Sequence, residues 1–151
     1  MPSSSLEKVV MKAAGFRIDK VVEGMMKDLR ITYPVKVFFD QPDEMAMAER
    51  PFGVAEVHLP TRAMIKRKMP DLSEEEITAK QISEVAEELT HLQKMETCHD
   101  NPRFPVVPTT IRLMKKHMTK RQWNSRYIQG EKLTALKAGK RFDEDCVEWR
   151  K

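Results

Sequence analysis

Cysteine is almost absent from this 151-residue chain: Cys98 and Cys146 are the only two, far apart and in no metal-ligand spacing. That excludes a disulfide framework and fits two idle thiols in a reducing compartment. Glycine occurs five times, aromatic residues make up 7%, and there is neither an internal repeat nor a low-complexity run. No stretch approaches the roughly 18 apolar residues of a membrane span. The opening segment, Met1 to Phe16, holds no apolar run long enough for a signal sequence. The chain is therefore expected in the cytoplasm, or in a particle assembled there, and away from membranes.

What is present suits one folded unit. A chain of this length buries about two thirds of its unfolded surface and needs no metal or disulfide to fold. Hydrophobic residues make up 40% and charged residues 33%, and several of the eleven methionines sit at core-like spacings. The net charge of +4 is unevenly placed: Asp71 to Asp100 holds nine acids against Lys80 and Lys94, whereas Arg112 to Arg141 holds ten bases against Glu131 alone. An acidic central helix and a basic C-terminal surface follow.

Ser4–Glu7 has the form of a capping box, starting a helix that breaks near Gly15 and resumes through Ile18, Val22, Met25 and Leu29. Tyr33–Phe39 reads as a strand, Asp40–Pro51 as loop, and Gly53–Pro60 as a second strand with alternating faces, placed at a sheet edge by its bounding prolines. Thr61–Met69 predicts a short helix. Ser73 then caps a long one, Glu74 to Met95, with an apolar stripe of Thr78, Ile82, Val85, Leu89 and Leu92. A proline-rich crossing, Asn101–Pro108, leads to a helix capped by Thr109 or Thr110 and ending at His117, and a last helical piece surrounds Leu133 and Leu136. The fold class is α+β: a helix-rich single domain, 1–151, with a small antiparallel sheet packed on the long central helix.

At 100° per residue Glu84, Glu87, Glu88 and His91 fall opposite the apolar stripe. Glu87 and His91 are one turn apart and able to face a single ion, with Glu88 beside them. An ordinary solvated helix face accounts for the same residues through Glu–His pairs one turn apart. A di-metal reading of Glu88-x-x-His91 with Glu96-x-x-His99 needs the two motifs on different helices.

The segment LSEEEITAKQISEVAEELTHLQKM resembles the active-site helix of small zincin-type metallopeptidases, phage-encoded ones included, and the helix-then-strands order ahead of it is similar. The resemblance spans Tyr33 to Met95, and its specific part is five residues long. It implies a zincin-like part over 1–108 and a basic helical extension over 109–151. It further implies zinc as cofactor, Glu88 as general base, His91 as a ligand and Glu87 in place of the motif's first histidine; it does not mark the third ligand, for which His99, eight residues past His91, is the candidate, with His117 or a later glutamate as other options.

The basic third offers a different function. Lys115, Lys116, Lys120, Arg121, Arg126 and Lys132 surround Trp123 and Tyr127, a mixture that could track a phosphate backbone and stack on bases, although no recognition motif accompanies it. The same surface is open to an acidic protein partner, as in a non-enzymatic binding or assembly component, for instance of a virus.

Overall fold

A computed structural model describes residues 18–41, 47–49, 55–94 and 106–138. The Ser4–Glu7 box, the helix ahead of Gly15, His99, both cysteines and the segment 101–105 lie outside them.

Helix α1 (Ile18–Asp28) forms because Ile18, Val22, Met25 and then Leu29 recur every three or four residues, and all four are buried. It stops at Arg30, which takes a left-handed conformation (φ 57°) while its amide and that of Ile31 close onto the carbonyls of Lys27 and Met26. This Schellman-type end places arginine where glycine is usual.

Three strands follow: β1 (Val35–Gln41), β2 (Met47–Glu49) and β3 (Ala55–Pro60), in the sheet order β1-β3-β2. β1 and β3 run parallel, with Val35 opposite Ala55 and Val37 opposite Val57, whereas β2 pairs antiparallel with β3, Ala48 opposite Val57. Two expectations are corrected here. The sheet is mixed rather than antiparallel, because β2, which falls between β1 and β3 in sequence, pairs on the far side of β3 and so leaves β3 running in the same direction as β1. β3 is also the central strand and not an edge. Pro60 is tolerated as its last residue, and its carbonyl accepts from Gln81 Nε2 at 3.1 Å.

The alternation in β3 sends Ala55, Val57 and Leu59 into the core and leaves Glu56 and His58 on the opposite face. There His58 stacks on Phe38, with ring centroids 5.0 Å apart. Its Nδ1 lies 2.9 Å from Asp40 and its Nε2 3.0 Å from Glu56. Burial opposes a charged ring at this position, but the two carboxylates outweigh it and hold His58 above its ordinary pKa.

Helix α2 (Arg62–Lys68) is capped by Thr61, whose hydroxyl accepts from the Met64 amide, and anchored by buried Ile65. Arg62 joins it to the next helix by donating to Thr78 Oγ1 at 2.7 Å and to Glu74 at 3.2 Å. That next helix, α3 (Glu74–Lys94), opens on a complete capping box: Ser73 Oγ accepts from the Glu76 amide, and Glu76 Oε1 from the Ser73 amide. Ile82, Val85, Leu89 and Leu92 are buried, and α3 packs against β3, β2 and α1.

Helix α4 (Val106–His117) begins three residues before the expected threonine cap. Pro108 sits in its first turn, where a missing N–H costs nothing, so Thr109 and Thr110 turn inward and are buried. α1 and α4 approach so closely that a Cβ on Gly24 would lie 2.8 Å from the His117 ring. Asp28 binds Lys116 Nζ at 2.8 Å and His117 Nε2 at 2.6 Å, and these partners hold its carboxyl below the usual range.

Helix α5 (Lys120–Trp123), again opened by a capping box (Thr119 and Gln122), precedes a π-helical turn (Ile128–Lys132) that runs into α6 (Leu133–Lys137). Leu113, Met114, Tyr127, Ile128, Leu133 and Leu136 belong to the same core as the sheet and α3. No helix among the described residues is long and apolar enough to cross a membrane.

Candidate functional site

The α3 face that carries Glu84, Glu87, Glu88 and His91 is not in solvent. α4, α5 and the π-helical turn cover it, leaving Glu84 4% and His91 8% exposed, with Glu87 and Glu88 half-buried. A solvated Glu–His face therefore does not describe these residues. The helix is enclosed on both sides, by the sheet against its apolar stripe and by the C-terminal helices against its acids.

Enclosed carboxylates need partners, because an isolated buried charge is very costly. Two lysines supply them. Lys80 Nζ binds Glu84 Oε2 at 2.9 Å, one turn away on the same helix, with both side chains almost fully buried. Lys132, from the end of the π-helical turn, brings its Nζ 3.3 Å from Glu87 Oε1, both side chains being about 13–14% exposed. His91 Nε2 lies 3.8 Å from the other Glu87 oxygen, close enough for attraction but beyond a hydrogen bond.

The protonation pattern follows from this crowding. Burial pushes Glu88 up to about 7, and the Glu87 charge adds to the rise while His91 opposes it. Burial likewise raises Glu84 against the pull of Lys80. For Lys132 burial works toward the neutral amine, but Glu87 and Glu84 prevail and hold it above its ordinary value. Burial raises the Tyr127 hydroxyl, with Glu84 adding to it. Near neutral pH the cluster thus holds Lys132 as an ammonium group and a Glu88 poised to bind or release a proton.

A zinc ion requires converging donors at about 2.0–2.3 Å, three from the protein in a catalytic site. Among the described residues no three His, Cys, Asp or Glu side chains are placed to hold a metal. One Glu87 oxygen, Oε1, is met by the Lys132 ammonium group, and the other, Oε2, is the one that faces His91. The described residues supply no third donor beside Glu87 and His91, and His99 lies outside them.

The candidate nucleic-acid residues are dispersed. Lys116 is held by Asp28, Tyr127 is 5% exposed, and Trp123 is half-buried against the core. Lys115, Lys120, Arg121 and Arg126 are exposed. Sequence reasoning placed Lys132 among those surface bases and missed its partnership with Glu87. The available signal was its position between Ile128, Leu133 and Leu136, on the flank of an apolar helical face.

Comparison of the chain with protein-family models, curated proteins and solved structures gives no match.

Proposed function

We propose that this chain is a zincin-related domain in which a lysine has taken the place of the catalytic cation, and that it works by binding within a larger assembly rather than by hydrolysing peptides. The observation that carries the reading is the Lys132–Glu87 contact at 3.3 Å. Glu87 stands where the Glu-x-x-His91 motif of the resembling family has its first histidine. A carboxylate there adds negative charge and makes any metal a weaker Lewis acid, whereas it is an ideal partner for an ammonium group. Further support comes from β3 and β2 lying against α3, and from the helix–strands–helix order ahead of the motif.

Zinc analysis and a peptidase assay on the purified protein test the proposal. The expected result is no stoichiometric zinc, no peptide turnover, and no change in either on Glu88→Gln. Stoichiometric zinc together with turnover abolished by Glu88→Gln would overturn it, since Glu88 would then be a general base whose loss typically costs 10²–10⁴-fold in rate.

A further inference from the structure

On the face of the sheet turned away from the core, β1 and β3 carry a second ionisable cluster, built on His58. Phe38 is its partner across the parallel pair, and the two rings stack within 15° of parallel. One position further along β1 the register shifts, between Phe39 and Gln41. Such a bulge re-aims a side chain. Here the residue at the shift is Asp40, both of whose carboxylate oxygens lie 2.9 Å from His58 Nδ1. Glu56, two residues back on β3, meets the other ring nitrogen, Nε2, at 3.0 Å.

The backbone ladder is thinned at this end of β1. Gln41 stands opposite Pro60, which has no N–H to donate, so the Asp40–His58 contact carries more of the hold on the strand. Hydrogen bonds from both ring nitrogens require a proton on each, which the imidazolium form alone provides.

We propose that His58 is a latch operated by pH: as an imidazolium it ties Asp40 of β1 to Glu56 of β3, and on losing a proton it releases one carboxylate and loosens the end of β1. The surrounding charges set the direction. Lys36 of β1 and Glu49 of β2 stand opposite Glu56 in the register. Once the ring is neutral, the strand positions of this face therefore hold Asp40, Glu56 and Glu49 against Lys36, and the acids repel one another. The Phe38 ring favours the charged form in addition. Burial works against that form, but Asp40 and Glu56 outweigh it and hold His58 above the ordinary 6.5. The latch is thus complete below about 6.5 and opens as pH rises through the folded value. It does not involve α3, so it stands or falls apart from the Lys132–Glu87 pair.

The test is an NMR titration of the full chain across roughly pH 5 to 9, following the His58 ring and the backbone amides of Asp40 and Gln41. The ring midpoint is expected above 6.5. The two amides should shift with that same midpoint and lose protection against solvent exchange above it. Asp40→Asn, which keeps the side chain's shape and removes its charge, should move the ring midpoint to lower pH. His58→Gln should abolish the amide step, because the carboxylates of this face titrate at about 4 and His91 and His117 lie on α3 and α4. A wild-type midpoint at or below 6.5, amides that do not follow the ring, an unmoved midpoint in Asp40→Asn, or a step that survives in His58→Gln would each overturn the latch. The wild-type titration decides the matter even where a variant fails to fold.

Discussion

Replacing Lys132 by methionine keeps an unbranched side chain but strips Glu87 of its ammonium partner in an enclosed site. Removing one member of such a pair leaves an uncompensated charge, at a cost of about 3 kcal/mol. Urea unfolding should register that loss. Adding Glu87→Gln should recover most of it, because the double variant no longer buries a lone carboxylate, and recovery of none of it would mean that Lys132 acts through packing alone. Glu88 gives a second expectation. Its folded pKa of about 7 lies above the ordinary 4.5, so the native state binds this proton more tightly than the unfolded chain does. Its contribution to stability is complete below about 4.5 and is lost as pH rises to about 7, by up to about 3 kcal/mol. Unfolding free energies measured across that window should decline less steeply in Glu88→Gln. At this scale the sequence placed Glu84, Glu87, Glu88 and His91 on one face through helical geometry alone. It could not show what covers them, since Lys132 lies 45 residues from Glu87.

At the scale of elements, local signals were legible where they were chemically self-contained. The Ser73 cap, the short helix after Thr61 and the alternation of β3 each involve residues within a few positions of one another, and each forms as expected. The pairing of β1 with β3 was not legible, because parallel and antiparallel partners draw on the same alternating pattern and differ only in where the connection travels. Nor was the start of α4, where a first-turn proline was read as an end to extended chain rather than the beginning of a helix. The α1–α4 contact carries a prediction of its own. Gly24→Ala would place a methyl 2.8 Å from His117, displacing that ring from Asp28. The loss of the His117–Asp28 contact works against the roughly 1 kcal/mol that alanine gains over glycine inside a helix, so the thermal midpoint should stay within a few degrees of the parent's. In the His117→Ala background, where only that gain remains, the same substitution should raise the midpoint.

For the whole molecule, the division into a zincin-like part and a basic extension meets a shared core. Met118, Tyr127, Ile128, Leu133 and Leu136 lie in one cluster with Val57, Val85 and Leu89. A chain ending at His117 loses those five side chains and uncovers the acidic face of α3. It should therefore fail to show a cooperative unfolding transition, and a sharp melt retaining most of the parent's midpoint would make the C-terminal helices an appendage. The composition anticipated a single unit with a basic C-terminal third, but charge counts carry no record of which bases turn inward.

The lysine that closes the cluster is also made late. At about 5–20 residues per second, the 45 residues from Glu87 to Lys132 take roughly 2–9 seconds to emerge from a ribosome. Through that interval the side of α3 that carries Glu84, Glu87 and Glu88 waits uncovered. Were that waiting side apolar, the half-made chain would be sticky; being lined with Glu84, Glu87 and Glu88, it is wetted by water and repels its copies. A charged interior of this kind favours a dispersed nascent chain until the turn bearing Lys132 arrives to seal it.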